Sequence, residues 1–325
     1  MNISFISLIF VVKIFIFLSL NLKASYIFVS NENSDTVTIL DAREKKVIKT
    51  ISTGGRPRDL KISKNNNFLY IVESEENQIS ILDISILEII GSIKTGDDPE
   101  IFDIHPTKNL LAVSNEDDNE LTLIDIEKKK IIKTIKNVGV EPEGVNFSPD
   151  GKYIYVTSEG TNSILIINNE KKEVENEILV GNRPRRGLFV SKHGEYWVSN
   201  ELSGSVTIIN TETQSIKKNI KFKIKGIQEQ DISPVDFAHS TKRNKVFVTL
   251  GNANHVAVVN ASNYQIEKYI LVGSRVWGAA ITKNEKELIV TNGNSDDITI
   301  INLDKMLAIK SIPVGTTPHS VRVSK

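Results

Sequence analysis

The sequence contains no cysteine. Disulfides, zinc–thiolate centres, covalently attached c-type haem and lipidated cysteine anchors are thereby excluded. Both oxidising and reducing compartments stay open. There is no excess of either charge: 40 basic and 40 acidic residues give a formal net charge of zero. Nothing therefore draws the chain to nucleic acid or to an anionic membrane. No nucleophile elbow, phosphate loop, HExxH or calcium-loop motif occurs. The five histidines are scattered, with no pair at metal-ligand spacing. No catalytic set and no metal site is read from these residues. The acids lack the Asp-x-Asp-x-Asp-Gly register of a calcium loop. Hydrophobic content of 40% and charged content of 25% are those of an ordinary globular chain.

A long apolar run occurs only at the start. Ile3 to Leu22 is broken by Lys13 and followed by Lys23-Ala24-Ser25. Ile14–Leu20 reads as the apolar region of a signal peptide, with Ala24 as the small residue at the cleavage site. The competing reading is an uncleaved anchor, since about 20 residues span a bilayer. The first strand starts at once at Tyr26, which favours cleavage. Residues 1–24 are thus expected to be a signal peptide and 25–325 the folded domain, delivered to the periplasm without a membrane anchor. Cleavage would leave 38 basic against 40 acidic residues, a net charge of −2.

What the chain has in abundance is one repeated stretch. Tyr26–Asn31 and Thr36–Asp41 alternate apolar and polar residues around a short polar turn, the pattern of a β-hairpin. The unit returns at Leu69–Asp83, Leu110–Asp125, Tyr153–Asn168, Tyr196–Asn210, Val246–Asn260 and Leu288–Asn302. A period near 42 residues, with strands and no helical pattern, predicts one propeller blade per repeat. The expected fold is all-β, a seven-bladed β-propeller of four-stranded blades. A third strand follows each hairpin, as in Lys46–Ile51, then a Gly/Pro loop and a short strand such as Leu60–Ser63. We name the short innermost strand a, the hairpin strands b and c, and the outer strand d. Gly144, Gly187 and Gly278 suit a crowded axis. The chain opens with b and ends with a lone a strand, His319–Ser324. That strand is expected to close the ring on the first blade, with Val321 beside Phe28. One interval is longer by about eight residues, in Lys221–Asp231, a tolerated insertion or a functional loop.

Alternating strand direction puts the a-to-b and c-to-d loops on one face. That face is lysine-rich and reads as solvated. The b-to-c and d-to-a loops share the other face, where acids and amides meet arginines. Only nine of the 40 basic residues are arginine, and six of them precede innermost strands: Arg56, Arg58, Arg183, Arg185, Arg186 and Arg275. Arginine presents a planar fork suited to carboxylate or phosphate. The competing reading is that these arginines pair with Asp59, Asp98, Glu100 and Glu143 to fix blade against blade. Trp277 and His319 occupy corresponding places beside them. These eight residues are the candidate ligand-binding set, with an anionic small molecule as the ligand class.

Val290-Thr-Asn292 with Ile298–Asn302, and Gly139–Pro142 before Gly144–Gly151, resemble YVTN-type β-propeller repeats. Ile232–Val235, Val248–Val259, Tyr269–Gly273 with Arg275–Gly278, and Asn292–Asp297 together resemble the PQQ-dependent catabolism-associated β-propeller family. Val276 replaces the proline expected in its Arg-Pro-Trp-Gly pattern. The resemblance implies a periplasmic propeller encoded alongside quinoprotein alcohol oxidation, and it carries over no catalytic residue. It also implies PQQ as a cofactor to try, and a quinoprotein dehydrogenase or periplasmic transport components as partners of a monomer. Two functions follow. One is a non-catalytic binding or scaffold protein. The other is a propeller enzyme of lactonase or quinoprotein type, using arginine, glutamate and histidine at the channel mouth.

Overall fold

The computed structural model describes residues 25–324, so the signal-peptide expectation for 1–24 lies outside the described residues. Seven four-stranded antiparallel sheets stand around an axis, each in the order a-b-c-d from the centre outwards. The expected seven-bladed propeller is the fold observed. Blade 1 combines strand a (Pro318–Val323) from the end of the chain with strands b (Tyr26–Asn31), c (Thr36–Asp41) and d (Lys46–Ser52). The innermost strands of blades 2 to 7 are Pro57–Ile62, Pro99–Ile104, Pro142–Phe147, Pro184–Val190, Pro234–Ser240 and Val276–Ile281. The closing strand pairs as expected, but Val321 lies opposite Val29 and Arg322 opposite Phe28. The register is one residue off the expected one because the pairing shifts at a bulge between Val29 and Asn31.

Each apolar cluster is shared by two adjacent blades. Leu121, Leu123 and Ile135 of blade 3 pack on Val145, Ile154 and Val156 of blade 4. Ile27 and Val29 of blade 1 pack on Ile289 and Ile300 of blade 7. A blade therefore has no core of its own, and the b and c strands are buried on both faces. Trp197 sits fully buried in strand b of blade 5 and donates to Glu195 at 2.9 Å. The closing Asp or Asn of each c strand makes a local turn. Asp41 accepts the N–H groups of Arg43 and Glu44, and Asn168 those of Glu170 and Lys171. The periodic residue of the sequence is thus the residue that reverses the chain.

The a strands begin earlier than the sequence pattern places them. In blade 4, Pro142 pairs with Ser158 and Val145 with Val156, so Glu143 and Gly144 together oppose Thr157. This bulge is filled by the Thr157 hydroxyl, which accepts the Gly144 N–H at 2.7 Å and donates to the Arg185 carbonyl of blade 5 at 2.7 Å. Ser114, Ser199, Thr249 and Thr291 bridge to the next blade in the same way. The Thr of the Val-Thr-Asn pattern is therefore a stitch between neighbouring blades. Blades approach closely at the bulge. A Cβ on Gly144 would stand 2.4 Å from the Arg185 carbonyl, and one on Gly278 2.6 Å from that of His319.

The long Lys221–Asp231 segment does not hang over the axis. Phe222 is buried, Ile224 and Ile227 pack with Tyr269 on the blade 5–6 core, and the Lys223 N–H donates to the Tyr269 hydroxyl at 3.1 Å. Among the described residues, no helix is long and apolar enough to cross a membrane.

Candidate functional site

The bulges set a ring of seven equivalent residues around one end of the channel. They are Arg58, Glu100, Glu143, Arg185, Val235, Trp277 and His319, each one residue after the start of its a strand, or, for Trp277, after Val276. Arg58, Arg185 and Arg186 thus lie inside strands and not in the loops before them, because pairing resumes at the proline. Two positions earlier stands an outer ring, in which Arg56, Asp98, Glu141, Arg183, Arg275 and Thr317 all adopt left-handed backbone conformations. Glu32, Glu116, Glu159 and Glu201 follow the b strands. Their N–H groups donate to the carbonyls of Thr317, Asp98, Glu141 and Arg183, which fixes each carboxylate beside the mouth.

Blades 1 to 5 form the charged side. Arg58 is 7% exposed; it meets Glu32 at 2.8 Å and is paired with Glu100. Arg56 bridges Asp98 and Glu100, each at 3.3 Å. Arg185, 8% exposed, meets Glu143 at 3.1 Å and Glu201 at 3.7 Å and is paired with Glu159. Arg183 meets Glu159 at 2.6 Å. Burial pushes the Glu143 carboxyl up, but Arg185 and Arg58 outweigh it and hold it below the usual range. One layer deeper, Arg186 of blade 5 reaches Asp236 of blade 6 at 3.7 Å and, across the axis, Asp59 of blade 2 at 3.5 Å. The channel is filled at that level by charged groups.

Two ion-pair clusters result. One holds Arg56 and Arg58 with Glu32, Asp98 and Glu100. The other holds Arg183 and Arg185 with Glu143, Glu159 and Glu201. Between them, Glu116 makes no hydrogen bond or ion pair through its carboxylate among the described residues. Burial and repulsion from Glu143, Glu159 and Asp98 push its carboxyl up to about 7.

Blades 6 and 7 form the side of the mouth that holds no ion pair among the described residues. Among the described residues Arg275 has no acidic partner; its guanidinium lies 5.0 Å from the centre of the Trp277 ring and 3.5 Å from Asn252. Trp277 meets His319 edge-on at 4.6 Å. His319 is 2% exposed, with Nδ1 3.3 Å from the Arg58 carbonyl. Burial and the nearby Arg58, Arg186 and Arg185 hold it far below its ordinary pKa, so it is neutral.

All eight residues expected from the sequence thus lie at or just below one channel mouth. Five arginines are held by acids, and Arg275 with Trp277 stands apart. Sequence reading placed Glu32, Glu116, Glu159 and Glu201 in loops of this face but did not single them out as site residues. The signal was an acid directly after the b strand in four repeats.

Fold and mouth define a seven-bladed β-propeller with a polar, ion-paired channel end. The chain belongs to the cytochrome D1 heme domain family, whose profile matches residues 105–325. Residues 23–143 match the profile described as lactonase, 7-bladed beta-propeller. No curated protein matches the sequence. Among solved structures, a putative 6-phosphogluconolactonase from Bacteroides uniformis is similar at 16% identity and TM-score 0.78, covering 93% of this chain and 100% of that one. The Pseudomonas aeruginosa periplasmic gluconolactonase gives 15% and 0.77, covering 93% and 99%. Dihydro-heme d1 dehydrogenase NirN in complex with DHE gives 12% and 0.69, covering 91% and 74%. At these identities the likeness is one of fold. His319, the histidine of the mouth ring, does not fit as a haem ligand. An axial ligand needs open access, whereas His319 is buried beneath Trp277 and bonded to a carbonyl.

Proposed function

We propose that the protein is an exported, monomeric, non-catalytic propeller that binds a planar, carboxylate-bearing small molecule on the Arg275–Trp277 side of its channel mouth. Arg275 carries this reading: it is the one arginine of the candidate set with no acidic partner, and it lies over Trp277. A ligand carboxylate would take the fork of Arg275 in place of its 3.5 Å contact with Asn252, and its ring would stack on the indole. Arg56, Arg58, Arg183 and Arg185 are neutralised by acids and act as the frame. PQQ has this chemistry, and the sequence resemblance to propellers of quinoprotein alcohol oxidation puts it first among ligands to try. In that setting a quinoprotein dehydrogenase or a transport component is the partner.

Titration calorimetry with PQQ, gluconate and 6-phosphogluconate separates the roles. Binding is expected for the parent, lost in Arg275→Ala and in Trp277→Ala. Arg185→Ala is expected to lose thermal stability, since it strands Glu143 and Glu159. Absence of binding to every one of these anions would overturn the proposal.

A second reading rests on Glu116. A carboxylate without a bond partner and with a pKa near neutrality suits a general base. Hydrolysis of glucono-δ-lactone that disappears in Glu116→Gln would establish a lactonase in place of a binding protein.

A further inference from the structure

The net charge of zero conceals a separation. Among the described residues, the segments that join strand a to b and c to d carry 15 basic and seven acidic residues. Those at the channel mouth, which join b to c and d to a, carry 15 acidic and five basic residues. The loops of one face thus hold an excess of eight positive charges, and those of the other an excess of ten negative. The molecule is dipolar along the channel axis, and such a field turns it one way against a charged surface.

The chain enters the fold on the basic face. Strand b of blade 1 starts there at Tyr26 and runs to the mouth, so Ser25 lies at the basic end. Only Lys23 and Ala24 separate Ser25 from the apolar run Ile3–Leu22, which is long enough to cross a bilayer. While that run is attached, the basic face and not the mouth lies on the membrane side. Cleavage before Ser25 would leave an α-ammonium group at the same place and add to the positive charge.

Beside Ser25 a groove of about 740 Å³ opens between blades 7 and 1. Arg43, Lys283 and Lys286 line it. All three are exposed, and none has an ion pair or a side-chain hydrogen bond among the described residues. The one acid in the groove, Glu287, is taken by Lys45. Of the acids in the same turns, Glu285 accepts the Ser240 hydroxyl and Asp304 pairs with Arg243, which leaves Glu44 as the acid without a cation.

We propose that the basic face docks on an anionic lipid bilayer, with the groove beside Ser25 receiving headgroup phosphates. Phosphate oxygens would accept from the Arg43 guanidinium and from the ammonium groups of Lys283 and Lys286, and no internal ion pair has to break. A nucleic acid would match the charge but gives no reason for an apolar run leading into this face. Docked in this way, the molecule holds its mouth, with Arg275 and Trp277, away from the membrane. The acids of the mouth repel the same surface and enforce that orientation. The surface is at the other end of the channel from the proposed ligand site, so the two stand or fall separately.

Residues 25–325 contain every strand of the ring, so the folded domain is tested without the apolar run. It is sedimented with mixed vesicles of phosphatidylglycerol and phosphatidylcholine, and with phosphatidylcholine alone, at about 0.1 M salt. Binding is expected to the anionic vesicles only, and to disappear as the salt rises to about 1 M. Lys283→Glu with Lys286→Glu is expected to weaken it by about tenfold or more. Lys223→Glu with Lys225→Glu changes the net charge equally but at the mouth, and is expected to leave binding unchanged. All four side chains are exposed, so both variants are expected to fold, which their melting temperatures check. Equal binding to the two kinds of vesicle, no binding to either, equal loss in the two double variants, or tighter binding to duplex DNA than to the anionic vesicles would overturn the docking surface.

Discussion

Single residues at the mouth show how neighbours set chemistry. Glu116 stands where two acidic blades meet, so its carboxyl is pushed up from 4.5 to about 7 by burial first, then by Glu143, Glu159 and Asp98, with Arg58 opposing. The folded chain therefore holds this proton more tightly than the unfolded chain. Stability from this group is present below pH about 4.5 and is lost as the pH rises through about 7. His319 works in the other direction. Its pKa is depressed, so protonation in the unfolded state draws stability away as the pH falls below 6.5. The two slopes overlap, and a variant separates them. Glu116→Gln should gain on the parent in urea-derived stability between about pH 5 and pH 8, and hold that gain above. A difference that does not change with pH would show that Glu116 has an ordinary pKa.

At the scale of the strand, the a-to-b bulge is the element that builds the site. It sets two residues of each a strand opposite one residue of strand b, and in every blade but the second, where Val72 stands, that residue is a Ser or Thr whose hydroxyl fills the bulge. Thr157 serves two backbone groups, one in its own blade and one in the next. Thr157→Val keeps the shape but leaves the Gly144 N–H and the Arg185 carbonyl unsatisfied. Each is expected to cost about 1–3 kcal/mol, read by denaturant unfolding. Thr157→Ser keeps the hydroxyl and should cost far less. A valine variant as stable as the serine variant would remove the stitch from the account.

The whole molecule is a closed ring. Strand Pro318–Val323 pairs with Tyr26–Asn31, and the Ser25 hydroxyl donates to the Ser324 carbonyl at 2.7 Å. The two ends of the described residues thereby form one blade, and each blade shares its core with the next. Deleting His319–Lys325 removes the innermost strand of blade 1 and uncovers the apolar cluster shared with blade 7. The melting temperature is expected to fall by several degrees at least, measured by calorimetry. A deletion that melts with the parent would show that the ring does not need closure.

Blade number, strand order and ring closure could be read from the sequence, because they depend on period and alternation, which are local. The closing Asp and Asn residues and the arginines around the starts of the a strands were legible for the same reason. The partners of those arginines were not. Arg186 and Asp59 are 127 positions apart, and only the ring sets them face to face. The sequence left open whether the arginines serve a ligand or the blades. Tertiary structure put Arg56, Arg58, Arg183, Arg185 and Arg186 against carboxylates and left Arg275 beside Trp277 without one. The acid-rich junction at Glu116 also exists only in three dimensions. It takes one carboxylate or more from each of two blades, and their sum of charge depends on distances that no single repeat contains.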